Sequence, residues 1–171
     1  MKIVRRIVRL FFAAMVGLAL GTCLSLTQYT TSYKPYVWNS PPILVNCYGP
    51  ELTESKMQSA VDFWSEYGDE VAFILQDPPE SVCKHNFVDG FIILKKVPAD
   101  SLNNGVLAQT KTKYQFLKIR AATIYFEPGT YRIEWLTEHE LGHAFGYKHI
   151  DELGHIMNPF IEFQDGKYWI P

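Results

Sequence analysis

The sequence has no internal repeat, no low-complexity tract and no acidic residue before Glu51. Repeat architectures are thereby excluded. Cysteine is scarce, with Cys23, Cys47 and Cys83 the only three in 171 residues. A zinc site built from thiolates needs closer spacing and more sulfurs. An excess of positive charge is missing too. Lys2, Arg5, Arg6 and Arg9 cluster at the start, so the rest of the chain carries 16 − 4 = 12 basic against 18 acidic residues, or −6. That balance gives no reason to expect a nucleic-acid partner. Length and a 47% hydrophobic content suit one buried core and not two.

The four early cations precede an apolar run from Leu10 to about Leu26. A charged region followed by a hydrophobic one reads as an export signal over residues 1–23, with cleavage after Gly21 as one outcome. An uncleaved anchor and a lipid-modified Cys23 are the alternatives, and membrane contact is expected only through this segment. Export to an oxidising compartment favours a Cys47–Cys83 disulfide over a cysteine metal site. Residues 24–41, rich in Ser, Thr, Tyr and Pro, read as a linker or short pro-segment, and residues 42–171 as one domain.

Within that domain, Pro42 to Tyr48 reads as a strand. Thr53 then caps a helix whose Met57, Ala60, Val61 and Trp64 recur at i, i+3, i+4 and i+7, with Gly68 ending it. Strands are expected at Val71–Gln76, Phe87–Lys95, Val106–Thr112 and Ala121–Phe126, followed by a second helix starting near Thr130. This order predicts an α+β fold with a mixed sheet.

The chemistry concentrates in residues 139–149, His-Glu-Leu-Gly-His-Ala-Phe-Gly-Tyr-Lys-His. On a helix, His139 and His143 leave the same face one turn apart. Gly146 can take the left-handed conformation that ends a helix, and the reversed chain can bring His149 back as a third ligand. Three imidazoles leave the fourth tetrahedral position open to water, as catalytic zinc sites do. Glu140 sits beside the ligand face as candidate general base. A competing local reading makes Thr137-Glu138-His139-Glu140 a capping box, which would start the helix late and turn Glu140 backwards.

These residues resemble the signature of the metzincin metallopeptidases, H-E-x-x-H-x-x-G-x-x-H followed by a methionine turn. His155-Ile156-Met157-Asn158-Pro159 is similar to that turn, with Met157 eight residues after His149 as in the matrixin branch. Gly105-Val106-Leu107-Ala108-Gln109-Thr110 is similar to the matrixin edge strand Gly-x-Leu-Ala-His-Ala. The resemblance implies a zincin fold with a mostly parallel twisted sheet, two main helices and a short C-terminal lower subdomain. It implies one catalytic Zn2+ on His139, His143 and His149, with Glu140 as base and Met157 as an apolar floor. It also implies an extended peptide or protein substrate bound along Gly105, Val106, Leu107 and Ala108, with a pocket that includes Pro159 and Phe160.

Departures are visible. No cysteine switch is present, and no aspartate-rich loop announces calcium, which stays unsupported. Tyr147 and Tyr168 are candidates to help stabilise an oxyanion. His85 reads as a surface histidine, and His155 as a solvent-facing loop histidine, with support of the metal site or orientation of substrate as its alternative. The expectation is therefore a monomeric zinc endopeptidase, exported or tethered by residues 10–26. The alternative is a non-catalytic zinc-containing binding or assembly protein on the same fold.

Overall fold

Short runs of Ile, Leu and Val form the buried middle of the sheet. In the computed structural model, which describes residues 34–103 and 105–163, Leu44, Val45, Ile92, Ile93 and Leu94 are almost wholly buried. The expected export segment, most of the proposed linker and Tyr168 lie outside the described residues. Among the described residues the fold is α+β, with three α-helices and a six-stranded, mostly parallel sheet. Its strands are β1 (Val37–Trp38), β2 (Ile43–Cys47), β3 (Phe73–Leu75), β4 (Phe91–Lys96), β5 (Ala108–Gln115) and β6 (Lys118–Phe126). Strands β3, β2, β4 and β6 run parallel in that order, and β1 joins β6 in parallel at Lys118 and Ile119. The other side of β6 takes β5, the antiparallel member, which makes β5 an edge. Largely apolar runs in the parallel part and alternating burial at the start of β5 follow from burial on two faces against one.

Helix α1 (Glu54–Ser65) starts as expected, with the Thr53 hydroxyl accepting from the Lys56 amide at 3.3 Å. Met57, Ala60, Val61 and Trp64 are its buried face. Helix α2 (Glu80–Cys83) is a single turn that brings Cys83 to Cys47 at the end of β2. The two form a disulfide that closes a separation of 36 residues, worth about 3–4 kcal/mol on the chain-entropy account. An oxidising environment follows from that bond. Among the described residues no helix is long and apolar enough to cross a membrane.

Helix α3 (Leu136–Phe145) buries nine of its ten residues, so it is the central helix of the domain. It begins later than the expected position near Thr130. Gly129 turns at φ 82°, Thr130–Arg132 make one 3-10 turn, Ile133 is extended and Trp135 is left-handed at φ 64°. A non-glycine residue in that region costs roughly 1–2 kcal/mol. Packing of the Trp135 ring against Phe63 of α1, centroids 5.9 Å apart, opposes that cost. Several strand boundaries also shift by a few residues; β6 begins at Lys118 and β5 runs on to Gln115. Strand β1 lies in the segment read as linker. Its Trp38 donates from Nε1 to the Ala144 carbonyl at 2.9 Å, so these residues pack on the end of α3.

Candidate metal centre

The late start of α3 does not make a capping box. Thr137 lies inside the helix, its hydroxyl is buried without a hydrogen-bond partner, and the His139 amide donates to the Trp135 carbonyl. Glu140 therefore leaves the helix one residue after the first candidate ligand instead of folding back on the helix start. His139 and His143 project together, as the i, i+4 spacing requires. Gly146 ends the helix at φ 104° and reverses the chain, so that His149 returns to the same point. The Nε2 atoms of His143 and His139 are 3.1 Å apart, and so are those of His143 and His149. The three rings offer nitrogens close enough to share one metal ion.

The protons on two of these rings are fixed by backbone oxygens. His139 donates from Nδ1 to the Ile156 carbonyl and His143 from Nδ1 to the Tyr147 carbonyl, each at 2.8 Å. A carbonyl can only accept, so each neutral ring keeps its Nε2 lone pair for the centre. Burial, with a smaller contribution from the neighbouring His143, holds the His139 pKa down to about 3. Burial likewise lowers His143 to about 4 and depresses His149. Lone pairs converging at 3.1 Å repel one another unless a cation sits between them. The donor set thus suits a metal ion, and three ligands leave a position open.

Glu140 is buried, and burial raises its carboxyl to about 7 against the lowering effect of a hydrogen bond from Thr110. The Thr110 hydroxyl lies 2.6 Å from Glu140 Oε2 and 3.0 Å from the Glu140 carbonyl. Thr110 had no assigned role from the sequence. A period-two reading from buried Ala108 would have placed Thr110 on the helix-facing side of β5.

Met157 is fully buried, and a Cβ on Gly142 would meet its sulfur at 2.5 Å and Trp64 at 2.4 Å. The turn that carries Met157 is tied to the segment after His149, since the Ile150 amide donates to the Met157 carbonyl at 2.9 Å. His155, expected at the surface, is 1% exposed, and its Nδ1 accepts from the Met157 amide. This is a correction, and the cause is local: the turn folds His155 under its own backbone. His85 is exposed as expected. Tyr147 is stacked on Trp64, centroids 4.7 Å apart, and its hydroxyl donates to Asp69 at 2.8 Å. That hydroxyl is committed to a carboxylate and not to the metal centre.

Two cavities meet at the centre. A groove of about 540 Å³ runs between β5 and the histidines, bounded by Ala108, Thr110, Thr112 and Tyr114 opposite His143, Gly146 and His149. A second cavity of about 280 Å³ brings Gly105, Val106, Leu107, Ala108, Pro159 and Phe160 together beside His139 and Glu140. These six come from segments about fifty residues apart. No protein-family model matches the sequence, and no curated protein matches it either.

Proposed function

We propose that this chain is a zinc endopeptidase of metzincin type, similar to the matrixins, that hydrolyses peptide bonds in an extended substrate. The observation that carries this reading is the convergence of three Nε2 atoms beside a buried carboxylate, at the mouth of a groove along a sheet edge. His139, His143 and His149 would hold the ion. Their Nε2 atoms, 3.1 Å apart in two pairs, offer the nitrogen donors that zinc would take. When bound, zinc supplies Lewis acidity toward a scissile carbonyl and acidifies water. Strand β5 pairs the substrate main chain through its unpaired edge, with backbone hydrogen bonds giving affinity. Glu140 takes the proton from the attacking water at its carboxylate and delivers it to the leaving amine. Pro159 and Phe160 shape the pocket for the side chain that follows the scissile bond.

Cleavage of a peptide library by the full chain tests this reading. Activity that disappears with a chelator and returns with one equivalent of zinc supports it. A zinc-loaded chain that cleaves nothing overturns it and favours a non-catalytic binding or assembly protein.

Thr110 has a measurable part in the same reaction. Thr110→Val removes the donor that aims Glu140 and is expected to lower kcat roughly tenfold or more, with KM and zinc content unchanged. Thr110→Ser should retain activity. An active valine variant would show that the hydroxyl does not position the base.

A further inference from the structure

The hairpin that joins β5 to β6 ends in a feature the metal centre does not use. Gln115 pairs with Lys118, so Phe116 and Leu117 alone make the turn. Phe116 is 91% exposed and Leu117 is 69% exposed. Phe116 also holds a left-handed φ of 55°. A two-residue hairpin turn favours Asn-Gly or similar pairs, for which a positive φ costs little. Here a highly exposed turn position carries a strained aromatic residue, which neither the turn nor the core requires.

Charge is as unusual as the apolar tip. Lys111, Lys113, Lys118 and Arg120 flank it, and residues 108–126 contain no acidic side chain. Four of the twelve cations that follow the first nine residues therefore lie on one hairpin of a chain that is otherwise net acidic. Asp89 pairs with two of them, Arg120 at 2.8 Å and Lys113 at 3.6 Å, leaving the hairpin cationic. The chain enters the domain close by, because Val37 of β1 pairs with Lys118. Val37 lies eleven residues after the apolar run that ends near Leu26. By chain length alone, a membrane holding that run would lie within about 40 Å of Val37.

From these features we infer that the β5–β6 hairpin docks on an anionic lipid surface. Phe116 and Leu117 enter the interface, while Lys111, Lys113, Lys118 and Arg120 face the headgroups. An apolar tip with a cationic collar is the combination that interfacial binding uses. Tyr114, which lines the groove beside the histidines, lies two residues from the tip. Docking would therefore hold one end of the groove near the bilayer surface.

The test uses the full chain with vesicles of phosphatidylcholine containing phosphatidylserine, and follows amide hydrogen exchange at residues 114–118. Exchange at the tip is expected to slow roughly tenfold on vesicle binding, and much less with phosphatidylcholine alone. Only Phe116 of the two turn residues has a positive φ, so Phe116→Gly with Leu117→Asn suits the turn; this variant should fold at least as well and lose the protection. Unchanged tip exchange in a vesicle-bound chain would overturn the inference. So would equal protection by neutral vesicles, or protection that rises with protein concentration without lipid, the mark of a second copy as partner.

Discussion

Glu140→Ala is expected to lower peptide hydrolysis by roughly 10²–10⁴-fold while one zinc per chain is retained. The three nitrogens that could hold the proposed zinc belong to other residues, so Glu140→Ala leaves that donor set intact. Stability should hold or rise. Glu140 is a buried carboxyl whose burial raises its pKa, so alanine removes an unfavourable desolvation. The Thr110 hydroxyl keeps an acceptor in the residue-140 carbonyl at 3.0 Å. Turnover, zinc content and Tm measured on both proteins check the three statements. A variant that keeps wild-type turnover with full zinc would remove Glu140 from the mechanism.

Gly146→Ala should have the largest effect on the fold. Its φ of 104° lies where a side chain is strained, at roughly 1–2 kcal/mol. An added Cβ would also meet the Tyr36 carbonyl oxygen at 2.4 Å and Ile119 Cδ1 at 3.3 Å. A backbone oxygen cannot rotate away, so β1 and the end of α3 must separate, adding roughly 1–3 kcal/mol. The total loss is expected near 2–5 kcal/mol by denaturant unfolding. Zinc affinity should fall with it, because Gly146 sets the reversal that returns His149. A variant with wild-type stability and zinc affinity would show that this reversal is not fixed by glycine.

The histidine triad was legible because its geometry is local. Helical spacing alone faces His139 with His143, and a glycine three residues later is a common helix stop. The core face of α1 was legible for the same reason. The start of α3 was not, because it depends on Trp135 taking a left-handed conformation against Phe63, a residue more than seventy positions away. Strand β1 was missed because two residues carry no period, and only Lys118 and Ile119 define it. His155 looked exposed because polarity is the only signal a single loop histidine gives. Its burial comes from the tight hydrogen-bonded path of residues 152–158.

The acceptors that orient His139 and His143 are the carbonyls of Ile156 and Tyr147, not side chains. Every amino acid supplies a carbonyl, so those two positions can drift in sequence without altering the proton placement on the ligand rings. Mutational tolerance at the centre should therefore be uneven. It should be narrow at the histidines and at Gly142 and Gly146, where space is missing. It should be broad, as far as ring orientation goes, at the residues that hold the imidazoles in place. Ile156→Val should keep the zinc affinity of the parent chain, although Ile156 lies directly against the machinery of the site.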